Sequence, residues 1–396
     1  MKKIKIFVFT FCLLIGTILF KVFYRDTTRM VRGNYQVYVN GVEQTSIPSR
    51  GSYKVVVACT RGEAIWDYDA WELVIEGSNK GSNQCYLEFN SIASEDKKYI
   101  STYIKDELSG TQQGDSMSAG QVVHETFVYS NTTYDTGYRY EGSNPNNYVK
   151  FNNELWRIIG TFSVNPTGKS TAEYLTKIIR NESIGSYVFD NSIWITQDGT
   201  RKASLNYLLN DYYYLRQDGT GSGYCTFSNY NNKNVTRSCD YRKTGINTTY
   251  RSMIEQVTWN IGGSKYSNSS KDSYRAERST TIPPGSASTW DGYIGLMYPS
   301  DFGFSVLSTS CAREIALSAY NTNACGGQAW LLNYVYERTM SPQNTDTSNV
   351  LFINMTGALA SNLSISHAVR PVLYLKSNVY IVDGDGSLTN PYILMM

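Results

Sequence analysis

The chain has 396 residues, enough for two or three domains, and its 41% hydrophobic content excludes a disordered chain. Its net charge of +2 conceals an asymmetry: the first 33 residues hold seven Lys/Arg and one Asp, leaving 29 basic and 33 acidic residues for the rest. A basic stub on a mildly acidic body excludes a nucleic-acid-binding pattern and is the pattern of membrane topology.

Lys2, Lys3 and Lys5 precede an uncharged run from Ile6 to Phe20, closed by Lys21. Positive charge before an apolar run keeps the N-terminus inside and sends the C-terminus out. As a helix the run spans about 22 Å against a hydrocarbon core of about 30 Å, and flanking lysines extend it by snorkelling. No small-residue cleavage site follows it; the sequence reads Lys-Val-Phe-Tyr-Arg-Asp. Residues 1–33 are therefore expected to be an uncleaved signal anchor. The location is then the cell membrane, single-pass, with the C-terminal body extracellular. The alternative is secretion after signal-peptide cleavage.

Six cysteines remain beyond Cys12 in the apolar run: Cys59, Cys85, Cys225, Cys239, Cys311 and Cys325. An even count in an exported chain points to disulfides. Pairing of sequence neighbours, 59–85, 225–239 and 311–325, is the simplest of many connectivities. Metal binding is the rival reading, but there is no Cys-x-x-Cys and the chain has two His, His124 and His367. No metal and no cofactor are expected.

Residues 34–92 read as strands. "YQVYVNGVEQ" carries an Asn-Gly hairpin signal at Asn40–Gly41, and "SYKVVVACT", "WELVIEG" and "CYLEFNS" follow. Trp66 and Trp71 lie between Cys59 and Cys85. Cys, Trp and Cys on neighbouring strands pin the two sheets of a small sandwich, so a small immunoglobulin-like β-sandwich is expected. Residues 93–129 read as a helical connector: Ser94 is an N-cap candidate, and Ile100, Tyr103, Ile104 and Leu108 recur at helical spacing. "TQQGDSMSAG" after it has the composition of an exposed linker.

From residue 130 to 396 short strands and turns dominate. "YVKFNNELWRIIGTF" predicts a hairpin at Asn152–Asn153. "KASLNYLLNDYYYL" predicts a helix with Ala203, Leu205, Leu208, Leu209 and Tyr212 on one face. "RSMIEQVTWNIGG" predicts a second helix ending at Gly262, and "AREIALSAY" is a candidate third. "VLFINMTGAL", "AVRPVLYLKSNVYIV" and "DGDGSLTNPYIL" predict closing strands and a last turn. The fold class expected is mainly β with α+β character, the region from 130 being loop-rich.

Three segments, "RYEGSNPNNYVKFNNELWRIIGTF", "IGLMYPSDFGFSV" and "AVRPVLYLKSNVYIVDGDGSLTNPYIL", resemble a family of unknown-function domains in exported proteins of low-GC Gram-positive gut bacteria. That family is similar to the Fibrobacter major-paralogous domain and to the C-terminal domain of Legionella collagen-like proteins. The resemblance implies a C-type-lectin-like domain over 130–396, with a Trp-led strand at Trp330. "VVVACTRGEAIWDYDAWELVIEG" resembles the small modules placed before such domains. The lectin calcium triplets are absent, since Trp259–Asn260 is followed by Ile261. Nothing around Cys311 or Cys325 matches the active site of formylglycine-generating enzymes.

No catalytic set emerges from the motifs. "GDSMS" at Gly114–Ser118 opens like one esterase superfamily, yet His367 lacks the Asp three residues earlier that such an enzyme needs. His124–Glu125 lacks the second His of a zincin. "DGDGSLTN" from Asp383 lacks the Gly and Glu of a calcium loop. Tyrosine beside Asn, Ser and Arg in "NDYYYL", "YCTFSNYNN" and "KYSNSSKDSYRAE" is the composition of an adaptable binding surface. The expectation is a tethered extracellular binding or adhesion protein for a glycan or protein ligand. The alternatives are an extracellular enzyme acting on glycans or cell wall, and a structural envelope or display protein.

Overall fold

A computed structural model describes residues 34–60, 63–76, 84–189, 193–228, 234–236, 239–322, 325–344, 346, 349–361 and 365–396. The expected anchor, 1–33, lies outside them. Among the described residues no helix is long and apolar enough to cross a membrane. The chain is mainly β and divides into two units, Met1–Asp96 and Lys97–Met396.

In the first unit β1 (Asn34–Val39) turns into β2 (Val42–Gln44) through Asn40 and Gly41, both at positive φ, 49° and 78°. That is the backbone a two-residue hairpin needs, and Asn and Gly adopt it at least cost. With β3 (Tyr53–Cys59) and β6 (Gln84–Ser91) these form a sheet of order β2-β1-β6-β3, in which β1 runs parallel to β6. Val37, Val55, Cys85, Leu87 and Phe89 are buried in it. The hairpin of β4 (Glu63–Asp67) and β5 (Glu72–Glu76) lays Trp66 edge-on against Phe89, ring centroids 5.0 Å apart, and against Trp71 at 5.3 Å. Cys59 and Cys85 stand opposite each other in the β3–β6 register and are bonded. The disulfide thus joins neighbours within one sheet, whereas the sequence suggested a pin between two sheets.

The second unit begins earlier than expected. The segment read as a connector is built into it: β7 (Lys98–Tyr99) pairs with a C-terminal strand, and Ile100, Ile104 and Leu108 are buried in the core. Helix α1 (Ile100–Thr102, continuing as a π-helical turn over Tyr103–Glu107) carries them. A 3-10 turn, Ser94–Asp96, precedes it, so Ser94 does not cap this helix. The expected linker is also held: Gln113 N donates to Gly120 O and Asn146 N to Gln113 O.

The strands that follow are β8 (Gln121–Tyr129), β9 (Thr132–Glu141), β10 (Tyr148–Phe151), β11 (Glu154–Val164), β12 (Glu173–Arg180), β13 (Ser186–Tyr187), β14 (Thr226–Ser228), β15 (Asn234–Thr236), β16 (Ile254–Glu255), β17 (Val257–Asn260), β18 (Thr289–Gly292) and β19 (Ile294–Gly295). The C-terminal set is β20 (Glu337–Pro342), β21 (Val350–Ile353), β22 (Leu359–Ser361), β23 (His367–Ala368), β24 (Val372–Leu375), β25 (Tyr380–Asp383) and β26 (Tyr392–Met395). Eleven of these, with β7, β8 and β9 included, form one sheet whose main path is β16-β24-β12-β11-β10-β26-β25-β7. Its central strands β11, β12 and β24 are buried on both faces, which is why their sequences read as near-continuous apolar runs. The β10–β11 hairpin turns at Asn152 and Asn153, φ 58° and 59°, as the sequence predicts.

Four helices complete the unit: α2 (Ser204–Tyr207, continuing as a π-helical turn over Leu208–Tyr213), α3 (Thr248–Arg251), α4 (Ser270–Glu277) and α5 (Pro299–Gly303). Helix α2 matches its apolar stripe. The helix expected over 251–262 is instead the end of α3 followed by β16 and β17. Val257, Thr258, Trp259 and Asn260 alternate buried and half-buried against β18, a period of two that outweighs the helical reading. The third candidate helix is a single 3-10 turn at Leu317–Ala319, and Trp330 lies in a turn well before β20. Cys225–Cys239 and Cys311–Cys325 are bonded, so all three neighbour pairings are present.

Candidate ligand-binding cleft

A cleft of about 450 Å³ opens among β9, β11, β17, α4 and β24. Its placement follows from local rules. In the β11–β12–β24 register, Gly160 lies opposite Lys177 and Lys177 opposite Tyr374. A side chain at Gly160 would bring a Cβ to 2.3 Å from Tyr138 O, so glycine lets β9 cross closely there. Helix α4 starts at Ser269, whose Oγ accepts from Asp272 N. It carries Tyr274 and Glu277 inward, one turn apart, and Arg278 caps its end. Helix α5 starts with Pro299 after Tyr298; Asp301 N donates to Tyr298 O while Asp301 Oδ2 accepts from Tyr298 N at 2.9 Å.

The floor of this region is a buried charge cluster. Lys177 Nζ donates to Asp301 Oδ2 at 2.5 Å, and Arg139 Nη1 donates to Asp301 Oδ1 at 2.9 Å. Arg139 Nε donates to Thr136 O at 2.8 Å. Glu277 accepts from Ser300 N at 2.8 Å and Ser300 Oγ at 2.5 Å, and Arg278 Nη1 lies 3.4 Å from it. Burial raises the Asp301 carboxyl, but the Lys177 and Arg139 charges outweigh it and hold the group down at about 2. Burial draws the Lys177 ammonium down to about 8 against the pull of Asp301. Burial pushes Glu277 up to about 7, although Arg278 and Ser300 favour its charged form.

Above the cations stand aromatic rings. Lys177 Nζ is 4.2 Å from the Tyr298 ring centroid, and Arg278 Cζ is 3.3 Å from that of Tyr274. Phe162, Trp259, Tyr174, Tyr298 and Tyr374 line the cleft. Tyr274 donates its hydroxyl to Asp135 O, and Trp259 Nε1 donates to Gly292 O at 3.0 Å. Tyr298 and Tyr374 stand over Lys177, whose Nζ lies 4.2 Å and 5.6 Å from their ring centroids. Both rings are nearly buried, 3% and 5% exposed, and burial raises both phenol pKa values. Asn165, Asn260 and Ser163 add polar groups at the rim. Asp135 is the carboxylate on the wall, its Oδ1 taken by Gly137 N at 2.8 Å and His124 Nε2 at 3.0 Å. Chemically the arrangement offers flat rings, polar rim side chains and the part-exposed Arg278 guanidinium to a bound molecule.

The sequence candidates fall elsewhere or enter in part. Ser116 accepts from Ala119 N within its own turn. His367 is buried with its ring 4.2 Å from Phe352, and burial lowers its pKa to about 3. Asp385 accepts from Ser387 N within the last turn. No cluster of three or more His, Cys, Asp or Glu able to hold a metal occurs among the described residues. Of the three tyrosine-rich segments, "KYSNSSKDSYRAE" supplies Tyr274 to the cleft and "NDYYYL" supplies Tyr214 to a second cavity. "YCTFSNYNN" is described only as far as Ser228, and its Tyr224 stacks on Tyr207, ring centroids 4.7 Å apart. Arg139, Asp301 and Tyr374 fall inside the three segments that carry the family resemblance, though nothing there marked them as site residues, and Lys177 stands in an ordinary strand with no signal.

Fold and cleft together define a β-rich, disulfide-bonded protein with a ligand-sized, aromatic-walled cavity. Comparison with family models, with curated proteins and with solved structures gives no match to this chain.

Proposed function

We propose that the protein is a membrane-tethered extracellular binding protein and that the cleft takes a glycan. The observation that carries this is the aromatic lining of the cleft, in which Phe162, Tyr174, Trp259, Tyr298 and Tyr374 stand beside Ser163, Asn165 and Asn260. Flat rings beside polar side chains suit a ligand with an apolar face and a hydroxyl-rich edge. A pyranose ring has that shape. The three disulfides fit an oxidising exterior. Lys2, Lys3, Lys5 and the apolar run supply export and the tether. The likeness of the 130–396 motifs to C-type-lectin-like domains of exported proteins supports the same reading.

The hydrolase alternative needs carboxylates facing the ligand. Asp135 lines the cleft, but a carboxylate pair is needed; Glu277 and Asp301 lie beneath the cleft, engaged by Ser300, Lys177 and Arg139, and neither lines it. A display protein would not require an aromatic-lined cavity of this size.

Glycan-array screening of the full chain, followed by titration calorimetry with Tyr298→Phe and Tyr374→Phe, tests the proposal. Each variant removes one hydroxyl and keeps the ring, and is expected to weaken binding about three- to tenfold. Unchanged affinity in both variants would remove the cleft from the proposal. N-terminal sequencing of membrane fractions tests the tether: the expected start is residue 1, and a start near residue 25 would make the protein secreted.

A further inference from the structure

A second cavity of about 540 Å³ borders the same β17–β18 hairpin. The cleft described above meets the hairpin along Thr258, Trp259 and Asn260, on β17. The second cavity meets it along Trp290, Asp291 and Gly292, on β18. Thr289 lines both. Paired strands lie about 5 Å apart, so the divide between the cavities is one hairpin wide. Its outward row is polar: Thr258 stands opposite Asp291 and donates to its Oδ1 at 2.6 Å, and Asn260 stands opposite Thr289. Trp259 and Trp290, on the other face, are buried and keep the divide in place.

The second cavity repeats the chemistry of the first. Tyr214 and Tyr293 both line it and stack face to face, with centroids 4.4 Å apart and planes 11° apart. Lys202 and Asp211, 3.7 Å apart, supply a polar rim. Two aromatic-and-polar cavities that share a wall residue across one hairpin are the arrangement of subsites along a single ligand.

We infer that the two cavities are subsites of one groove for an extended oligosaccharide, longer than a disaccharide, that crosses the β17–β18 hairpin. This rests on the glycan reading of the first cleft. Titration of the full chain with cello- and chito-oligosaccharides of increasing length, from disaccharide to hexasaccharide, tests it. Affinity is expected to rise at least about tenfold along a series. Tyr293→Ala, with Lys202→Ala as a second and more peripheral variant, is expected to abolish that gain while leaving disaccharide affinity within about twofold. A hexasaccharide that binds no tighter than the disaccharide overturns the inference and leaves the glycan reading standing. So does a length gain that survives both variants. Absence of binding by every member of both series overturns the glycan reading for β-linked sugars and this inference with it.

Discussion

Lys177 Nζ sits 2.5 Å from Asp301 Oδ2, with the two side chains 1% and 2% exposed. The pair ties the central strand β12 to the start of α5, so it fixes Tyr298 over the ammonium and sets the floor of the cleft. Arg139 completes the site from β9, leaving Asp301 between two cations.

Asp301→Asn therefore leaves two buried cations without their counter-charge. Removing one partner of a buried pair costs about 3–5 kcal/mol, and that loss is expected in urea unfolding of the second unit at neutral pH. Lys177→Met is expected to cost less, because Arg139 still neutralises Asp301. Equal losses from the two variants would show that Arg139 does not hold the carboxylate.

Stability should fall as pH rises from about 5 to 8. A carboxyl whose folded pKa lies above its unfolded value holds its proton more tightly when folded. Glu277, raised from 4.5 to about 7, stabilises fully below about 4.5, and that contribution is lost as pH rises through about 7. Glu141, raised by burial to about 8 against the pull of Arg313, acts in the same direction, and the two together outweigh His367, whose pKa, lowered to about 3, adds stability as pH rises to about 6.5. For Glu277 the shift corresponds to about 3 kcal/mol at most. Thermal melts of Glu277→Gln across this range should show a flatter profile than the parent chain; an unchanged slope would assign the pH dependence to other groups.

Gly160→Ala should be strongly destabilising for its size. The added Cβ meets the backbone carbonyl of Tyr138 at 2.3 Å, and a backbone atom cannot rotate away. Overpacking of this kind costs about 1–3 kcal/mol. Gly327→Ala, where nothing lies within 4 Å of the new Cβ, is the matched control. Similar melting temperatures for the two variants would contradict the close approach of β9 to β11.

Peptide mapping of unreduced protein should recover 59–85, 225–239 and 311–325 as linked pairs. Replacing Cys311 and Cys325 together by Ala opens a short loop, and the chain-entropy argument puts the loss at about 3 kcal/mol. Chemical denaturation reads it directly. Free thiols at any of the six positions in exported protein would undermine the extracellular reading.

Several features were settled by the sequence itself because their causes are local. Asn40–Gly41 and Asn152–Asn153 reverse the chain since those residues tolerate positive φ. Helix α2 follows its own apolar stripe, and the cysteines bond to their nearest neighbours along the chain. The charge asymmetry that motivates the anchor is likewise a property of the first 33 residues alone. Tertiary structure decided what local patterns cannot encode. Residues 97–129 join the second unit because β7 finds its partner at β25, far along the chain, and Ile100, Ile104 and Leu108 find a core there. Ile254–Glu255 and Val257–Asn260 are extended because β24 and β18 offer pairing that outweighs a short helix. The cleft draws on residues from Asp135 to Tyr374. A lysine such as Lys177 in a buried strand is tolerated only where distant segments deliver Asp301 and a ring to meet it, and no short window of sequence records that meeting.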